Sequence, residues 1–485
     1  MYNKVATMSR VRAVLQNTVY QGAARTVGVI TGLITFALLT RYLGPERFGD
    51  YSIALTYTGV LAAIAELGMP VLLLKILSLH RRSDAAVIAN LNSLRIFASL
   101  IVFLAGVGLA QLLPYSQDVK LGIAIASIGF IFLNFTQYIG VVFQERLKTH
   151  LSGLADSIGR LLVLAATFIG LERNAPLSWY FWAFVVGSLA TFGGTYFLSR
   201  KLFSLKLKLR LRAWGPLLRQ ALPLMLISLF SLVYFKVDTL ILSLLDSSYV
   251  VGVYSAAYKY IDVFITIPAI FGALALPFFT RSTEHREEQR FGRQFERSLR
   301  LILMSGGLLA AVTFVEADRF ITIFSGTAYV ESIIILRILA LAILPLFLGS
   351  LCSTALIARN KSYIVAWIFG STAVISLVLY VAAIDRFSLY GAAVSTVMVE
   401  TAIAVATITA LLRSSIVLIH LRIVLGYVSS VLVLGATLYA AHALPMIITI
   451  AIGTLVYVLL LIAFRVVQHH EISHVIRGTR LHNHD

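Results

Sequence analysis

Residues 43–54 read LGPERFGDYSIA, and residues 245–257 read LDSSYVVGVYSAA. Both contain G-x-Y-S-x-A, at Gly49–Ala54 and at Gly252–Ala257, 203 residues apart. Each copy follows a long apolar run and opens the next one. A motif that recurs at a fixed offset, in the same relation to the hydrophobic pattern, points to a chain made of two copies of one unit.

Working outward from these turns, the apolar runs have membrane-spanning length, since a bilayer core takes roughly 20 apolar residues per helix. They fall at 14–40, 48–77, 91–113, 119–141, 153–171 and 177–198 in the first copy. The second copy has 216–244, 250–279, 299–316, 330–358, 362–384 and 388–412, and two more runs follow at 421–442 and 444–465. The fold class is therefore all-α integral membrane, with about fourteen transmembrane helices in two six-helix lobes plus two extra C-terminal helices. The expected domains are 1–205 (spans 1–6), 206–413 (spans 7–12) and 414–485 (spans 13–14 and a polar tail). Two lobes of the same orientation, related by an axis along the membrane normal, form a known transporter plan.

Composition agrees. Of 485 residues 59% are apolar and 13% charged, where a soluble protein has about a quarter charged; the missing charge means that lipid covers most of the surface. The net charge of +18 would suggest nucleic acid in a soluble chain, but here its distribution explains it. Twenty-eight Lys and Arg lie on the side of the termini, including seven between Arg200 and Arg219 and six between Arg281 and Arg300. Six lie opposite: Arg41, Arg47, Lys120, Arg173, Arg319 and Arg386. The positive-inside rule then places both termini in the cytoplasm, in the cytoplasmic (inner) membrane, with no nucleic-acid partner. The N-terminal MYNKVATMSRVRAVLQ lacks a small-residue cleavage site, so the first run reads as a retained span. Cys352 is the one cysteine, which excludes a disulfide framework and a thiolate metal site.

The stretches ARTVGVITGLITFALLTRYLGPERFGDYSIALTY (24–57), ELGMPVLLLKILS (66–78) and KVDTLILSLLDSSYVVGVYSAAYKYIDVF (236–264) carry a resemblance across both copies. With its R-Y-L-G-P-x-x-F-G-x-Y turn, the chain resembles the O-antigen (Wzx-type) polysaccharide flippases of the multidrug/oligosaccharidyl-lipid/polysaccharide (MOP) superfamily. The resemblance implies a MATE-like, V-shaped pair of lobes around a central cavity that alternates between inward- and outward-open states. It implies an undecaprenyl-pyrophosphate-linked glycan as substrate, and a polysaccharide polymerase and chain-length regulator as partners beside the bilayer itself.

Ionisable residues inside spans face a bundle interior or a wet cavity. Those considered are Arg25, Glu66, Asp156, Arg160, Lys236, Asp238, Lys259, Asp262, Arg337 and Glu400. On span 8, Ser255, Tyr258, Lys259, Asp262 and Thr266 form one helical stripe, read as cavity lining, with a Lys259–Asp262 ion pair as the plainer alternative. On span 7, Asp238 shares a face with Ser228, Ser231 and Tyr234, while Lys236 points elsewhere, toward the cavity or a neighbouring helix. Span 1 puts Arg25 on the side of Gly28 and Gly32, where its guanidinium either meets a pyrophosphate or snorkels to headgroups. Glu66 and Glu400 are candidates for ion coupling, Glu66 also for a counter-ion to Arg25; Arg337 is a single cation of the second lobe. Asp156 and Arg160, read as near the cytoplasmic end of span 5, form an i,i+4 structural pair.

Signals for covalent chemistry are missing: no Walker A, H-E-x-x-H, Cys-x-x-Cys or G-x-S-x-G pattern stands out. The expectation is a transporter, not an enzyme, with no cofactor and no metal. The alternatives weighed are a MATE-type multidrug/cation antiporter and, last, a membrane glycosyltransferase or polymerase, for which the longest external loop, about 317–330, is too short to hold an active site.

Overall fold

The computed structural model describes residues 2–66, 68–78, 85–146, 148–200, 202, 206–284, 287–413 and 421–464; the side chains of 2–25, 75, 78, 85, 222–235 and 421–424 lie outside that description. Hydrocarbon offers the backbone no partner, so a spanning chain must satisfy its own amides. Among the described residues every regular element is accordingly helical. The first six are α1 (Tyr2–Glu66), α2 (Met69–Ser78), α3 (Ala85–Leu112), α4 (Gln117–Glu145), α5 (Thr149–Glu172) and α6 (Leu177–Ser199). They are followed by α7 (Leu211–Leu245), α8 (Ser248–Phe264), α9 (Thr266–Glu284), α10 (Glu288–Val315) and the short α11 (Ala317–Phe324). The last four are α12 (Glu331–Ala358), α13 (Ser362–Leu412), α14 (Leu421–Ala440) and α15 (Met446–Ala463).

All fourteen apolar runs fall on these helices. Two helices carry two runs each. α1 turns at Gly44, with φ 70° and ψ 173°, a conformation open to glycine, and Pro45 then starts the second segment with its preset φ. α13 turns at Ser388, with φ 51° and ψ −132°. Conversely, runs 2 and 8 are interrupted. Run 2 breaks after Glu66 and resumes at Met69 as α2, past Gly68 at φ 63°. Run 8 breaks between Phe264 and Thr266, so that α9 continues α8. Pro70 and Pro268 sit in the first turn of the resumed helices, where their missing amides leave no bond unmade.

Packing divides the chain into two compact units, residues 1–255 with 324–328, and residues 256–323 with 329–485. In the first, α4 and α5 pack on α6 and α1, and α7 lies against α1, α2 and α3. In the second, α12 packs against α13, α10 and α9, while α14 and α15 pair with each other and lean on α10. Tyr427 of α14 covers Gly307, and the Tyr457 hydroxyl of α15 donates to the Leu303 carbonyl at 3.5 Å.

Within the first unit the two copies of G-x-Y-S-x-A touch. A Cβ on Gly49 would run into the Ser248 carbonyl oxygen and lie 3.1 Å from the Gly252 nitrogen. A Cβ on Gly252 would run into the Pro45 carbonyl oxygen and lie 3.0 Å from the Gly49 nitrogen. Pro45 and Ser248 are themselves 203 residues apart, so each contact is the other's image under the repeat offset. That reciprocity is what a local two-fold axis produces. Asp50 clamps the crossing, accepting from Ser248 Oγ at 2.6 Å and Ser116 Oγ at 3.5 Å.

Candidate functional site

Six Lys and Arg lie at least four residues in from either end of an apolar run: Arg25, Arg95, Arg160, Lys236, Lys259 and Arg337. Their environments separate structural cations from available ones.

Arg160 is available. Its Nε donates to Asp156 Oδ2 at 2.8 Å, yet the two side chains remain 50% and 44% exposed. The i,i+4 pair is as read from sequence. α5 begins at Thr149, ahead of the apolar run, because Thr149, His150 and Ser152 add a polar first turn to the helix. Arg160 therefore sits about 17 Å from either end of α5 at 1.5 Å per residue, beyond the reach of a snorkelling side chain. A half-exposed ion pair within an apolar helix is costly against lipid and suggests a wet or protein-lined face. Its guanidinium lies on the glycine face of α1: Nη1 donates to the Gly28 carbonyl at 3.4 Å, and a Cβ on Gly28 would meet Arg160 Nε at 3.2 Å. Gly32 lies one turn on, 3.8 Å from Nη1 by the same measure. The side chain of Arg25, one turn before Gly28, lies outside the described residues.

Arg95 is structural. It was missed in the sequence reading, although a lone charge in the run 91–113 was visible there. It is fully buried on α3. Nη1 donates to the Glu66 carbonyl at 3.2 Å and Nη2 to the Asn134 carbonyl at 2.7 Å, with the guanidinium carbon 4.9 Å above the Tyr138 ring. Arg95 thus caps the last turn of α1 where run 2 breaks, and joins α1, α3 and α4. Asn134 Nδ2 adds a bond to the Ala62 carbonyl at 3.1 Å. The Glu66 side chain is half-buried beside this bolt.

Asp238 is 1% exposed on α7, and its carboxylate is already occupied. Oδ2 accepts from the Tyr254 hydroxyl at 2.6 Å, and Oδ1 from the Thr239 amide at 2.6 Å and hydroxyl at 3.3 Å. It ties α7 to α8. Lys236 is half-buried nearby.

The remaining candidates belong to the second unit. Tyr258 is buried, while Lys259, Asp262 and Thr266 are half-buried along one side of α8 up to its break with α9. Tyr258, Lys259 and Asp262 are each engaged in a polar or ring interaction, as is Glu400, 5% exposed on α13. Arg337 is half-buried on α12. Among the described residues no group of three metal-ligating side chains occurs.

Spans 2 and 8, each second in its copy, are both interrupted. Here Glu66 precedes one break, and Lys259 and Asp262 precede the other by about a turn. Together with the apolar runs and a half-exposed charge midway along α5, these features describe a polytopic helical membrane protein of transporter-like architecture. Residues 14–283, more than half of the chain, match the family described as Polysaccharide biosynthesis protein, and the chain belongs to that family. Residues 223–382 also match the MatE family. A Shigella flexneri protein assigned as an O-antigen transporter is 22% identical over 408 residues, covering 79% of this chain and 94% of the relative. The fold is similar to that of the lipid II flippase MurJ in an inward closed conformation, with TM-score 0.77, 15% identity, and 92% of this chain and 99% of the other covered. It is also similar to an inward-facing MATE family multidrug transporter, with TM-score 0.65, 14% identity and coverage of 80% and 96%.

Proposed function

We infer that the protein is a flippase for lipid-linked oligosaccharides. It carries undecaprenyl-pyrophosphate-linked repeat units across the cytoplasmic membrane, by alternating access through a partly cationic cavity, for O-antigen, capsule or exopolysaccharide synthesis. The observation that carries this reading is Arg160, half exposed at the mid-depth of α5 on the glycine face of α1. A pyrophosphate cannot enter hydrocarbon without losing solvation far larger than any contact with lipid returns. A guanidinium in a wet, mid-membrane site replaces part of that solvation with paired, charge-assisted hydrogen bonds, while the prenyl tail stays in lipid. Gly28 and Gly32 let the Arg160 side chain lie close along α1. Family membership, and a relative assigned to O-antigen transport, support the same substrate class.

In this reading Arg25, Lys236, Lys259 and Arg337 supply further positive charge. Tyr258 and Asp262 orient Lys259 or meet the sugar, Asp238 holds Tyr254, and Glu66 and Glu400 take a coupling ion. Both termini are cytoplasmic, and 1–205 and 206–413 act as repeated lobes with 414–485 appended. A polysaccharide polymerase and chain-length regulator receive the product.

The test is genetic. In a host lacking its own copy, Arg160→Glu should abolish surface polysaccharide while the protein still accumulates in the membrane, and Arg160→Lys should retain part of the activity. Full polysaccharide from Arg160→Glu would overturn the role. The match of residues 223–382 to MatE favours a second reading, a cation antiporter. That reading expects deletion to sensitise cells to cationic drugs and to leave surface polysaccharide intact.

A further inference from the structure

Between α6 and α7 the first unit carries an extended strap. Residues 206–212 read KLKLRLR, and no acidic residue occurs between Arg200 and Arg219. The strap's backbone is held by the start of α3. Asn92 Nδ2 donates to the Lys206 carbonyl at 3.0 Å. The Lys208 amide donates to Ser93 Oγ at 3.0 Å and to the Ala89 carbonyl at 3.2 Å, and the Arg210 amide to Asn90 Oδ1 at 3.0 Å. Asn90, Asn92 and Ser93 are all buried. Asn92 Oδ1 in turn accepts from the Tyr138 hydroxyl at 2.8 Å, which connects the strap to the bolt around Arg95. Three buried polar side chains are thus committed to the backbone of one connecting segment, satisfying amides that a solvated loop would leave to water.

The strap's own side chains are treated in the opposite way. Leu207, Leu209 and Leu211 are 59%, 62% and 69% exposed, and Lys206, Arg210 and Arg212 are exposed as well, with Lys208 half-buried. In 206–210 the sequence alternates cation and leucine up to Arg210, whose backbone is extended, and Leu211 and Arg212 continue the pattern into the first turn of α7. A row of open leucines is a liability in a loop surrounded by water. The strap joins the starts of the apolar helices α3 and α7, where a row of leucines can meet the boundary between headgroups and acyl chains. Trp214 in the first turn of α7 packs on Phe97 at 5.4 Å. At the end of α6, Arg200 stacks over the exposed Phe197 at 4.1 Å.

We propose that the strap is a lipid-docking element: its leucines seat in the headgroup boundary, and Lys206, Lys208, Arg210 and Arg212 engage anionic phospholipid headgroups of the leaflet on the basic side. Charge complementarity selects the partner, because alternating cations without an acidic neighbour match a surface of phosphates and not a zwitterionic one. The proposal does not depend on what is transported.

Leu209→Cys in the full chain, with the buried Cys352 replaced by Ala and an environment-sensitive dye at position 209, reads it out directly. The chain is placed in nanodiscs of phosphatidylcholine with and without phosphatidylglycerol. The expected result is blue-shifted emission with phosphatidylglycerol, quenched by headgroup-level nitroxide lipid and reversed by high salt or by K206Q/K208Q/R210Q/R212Q. Identical emission in both lipids, or a response that survives the quadruple change, overturns the proposal. Native mass spectrometry of the unlabelled chain is the second readout: severalfold more retained phosphatidylglycerol on the wild type than on the quadruple variant supports docking, and equal retention refutes it.

Discussion

Arg95 and Arg160 are the same residue type in the same first unit, and they are put to opposite uses. Arg160 keeps half its surface open beside Asp156, whereas Arg95 has none. A buried guanidinium must spend its donors on fixed acceptors, and Arg95 divides its Nη groups between the Glu66 and Asn134 carbonyls while its plane rests on Tyr138. Lysine offers a point charge that cannot bridge two carbonyls and stack at once. Arg95→Lys should therefore lower stability nearly as much as Arg95→Met, by about 2–4 kcal/mol, since removing one partner of a buried set leaves the others unpaired. Thermal unfolding in detergent checks this. A Lys variant as stable as wild type would mean that the bridge between α1, α3 and α4 contributes little.

The crossing of α1 and α8 sets two helices so close that backbone replaces side chain at both glycines. Alanine at Gly49 or Gly252 forces the Ser248 or Pro45 carbonyl aside, and overpacking of this kind costs about 1–3 kcal/mol. Gly44 is the contrast, because nothing lies within 4 Å of its Cβ position and only its backbone at φ 70° and ψ 173° opposes substitution, a penalty of about 1–3 kcal/mol. Since Gly49 and Gly252 share one contact, the double alanine variant should be less destabilised than the sum of the singles. Unfolding curves for the set measure the coupling, and strict additivity at Gly49 and Gly252 would exclude a shared interface. Much of this element level was legible beforehand. Span number follows from run length, which is local to the chain, and the 203-residue offset located the motif pair. Contact between the copies was not legible, because G-x-Y-S-x-A says nothing of what its glycine approaches. The start of α5 also escaped, since hydropathy ends span 5 at the first polar residues while the helix includes Thr149, His150 and Ser152. The breaks in spans 2 and 8 were hidden for a related reason: hydrophobicity continues through residues whose backbone does not stay helical.

Across the whole molecule, orientation rests on charge. Twenty-eight cations against six is an asymmetry that insertion reads over short loops, and it alternates correctly only if all fourteen spans cross. α1 and α13 each contain a reversal within one continuous helical stretch, so an error in either would invert everything downstream. Cysteine accessibility tests every crossing between chosen loops, and the chain suits it because its single thiol, Cys352, is 1% exposed and should give little background. Gln117→Cys, at the start of α4, and Arg173→Cys, at the end of α5, occupy exposed positions on the side with few cations. Gln289→Cys and Ser362→Cys are exposed at the basic ends of α10 and α13. In spheroplasts, a membrane-impermeant maleimide should label positions 117 and 173 at once and positions 289 and 362 only after permeabilisation. The reverse pattern would invert the protein and place the basic strap outside. Labelling of 289 but not 362 before permeabilisation would instead show that the segment between them crosses an odd number of times, so that one run in the second half does not span.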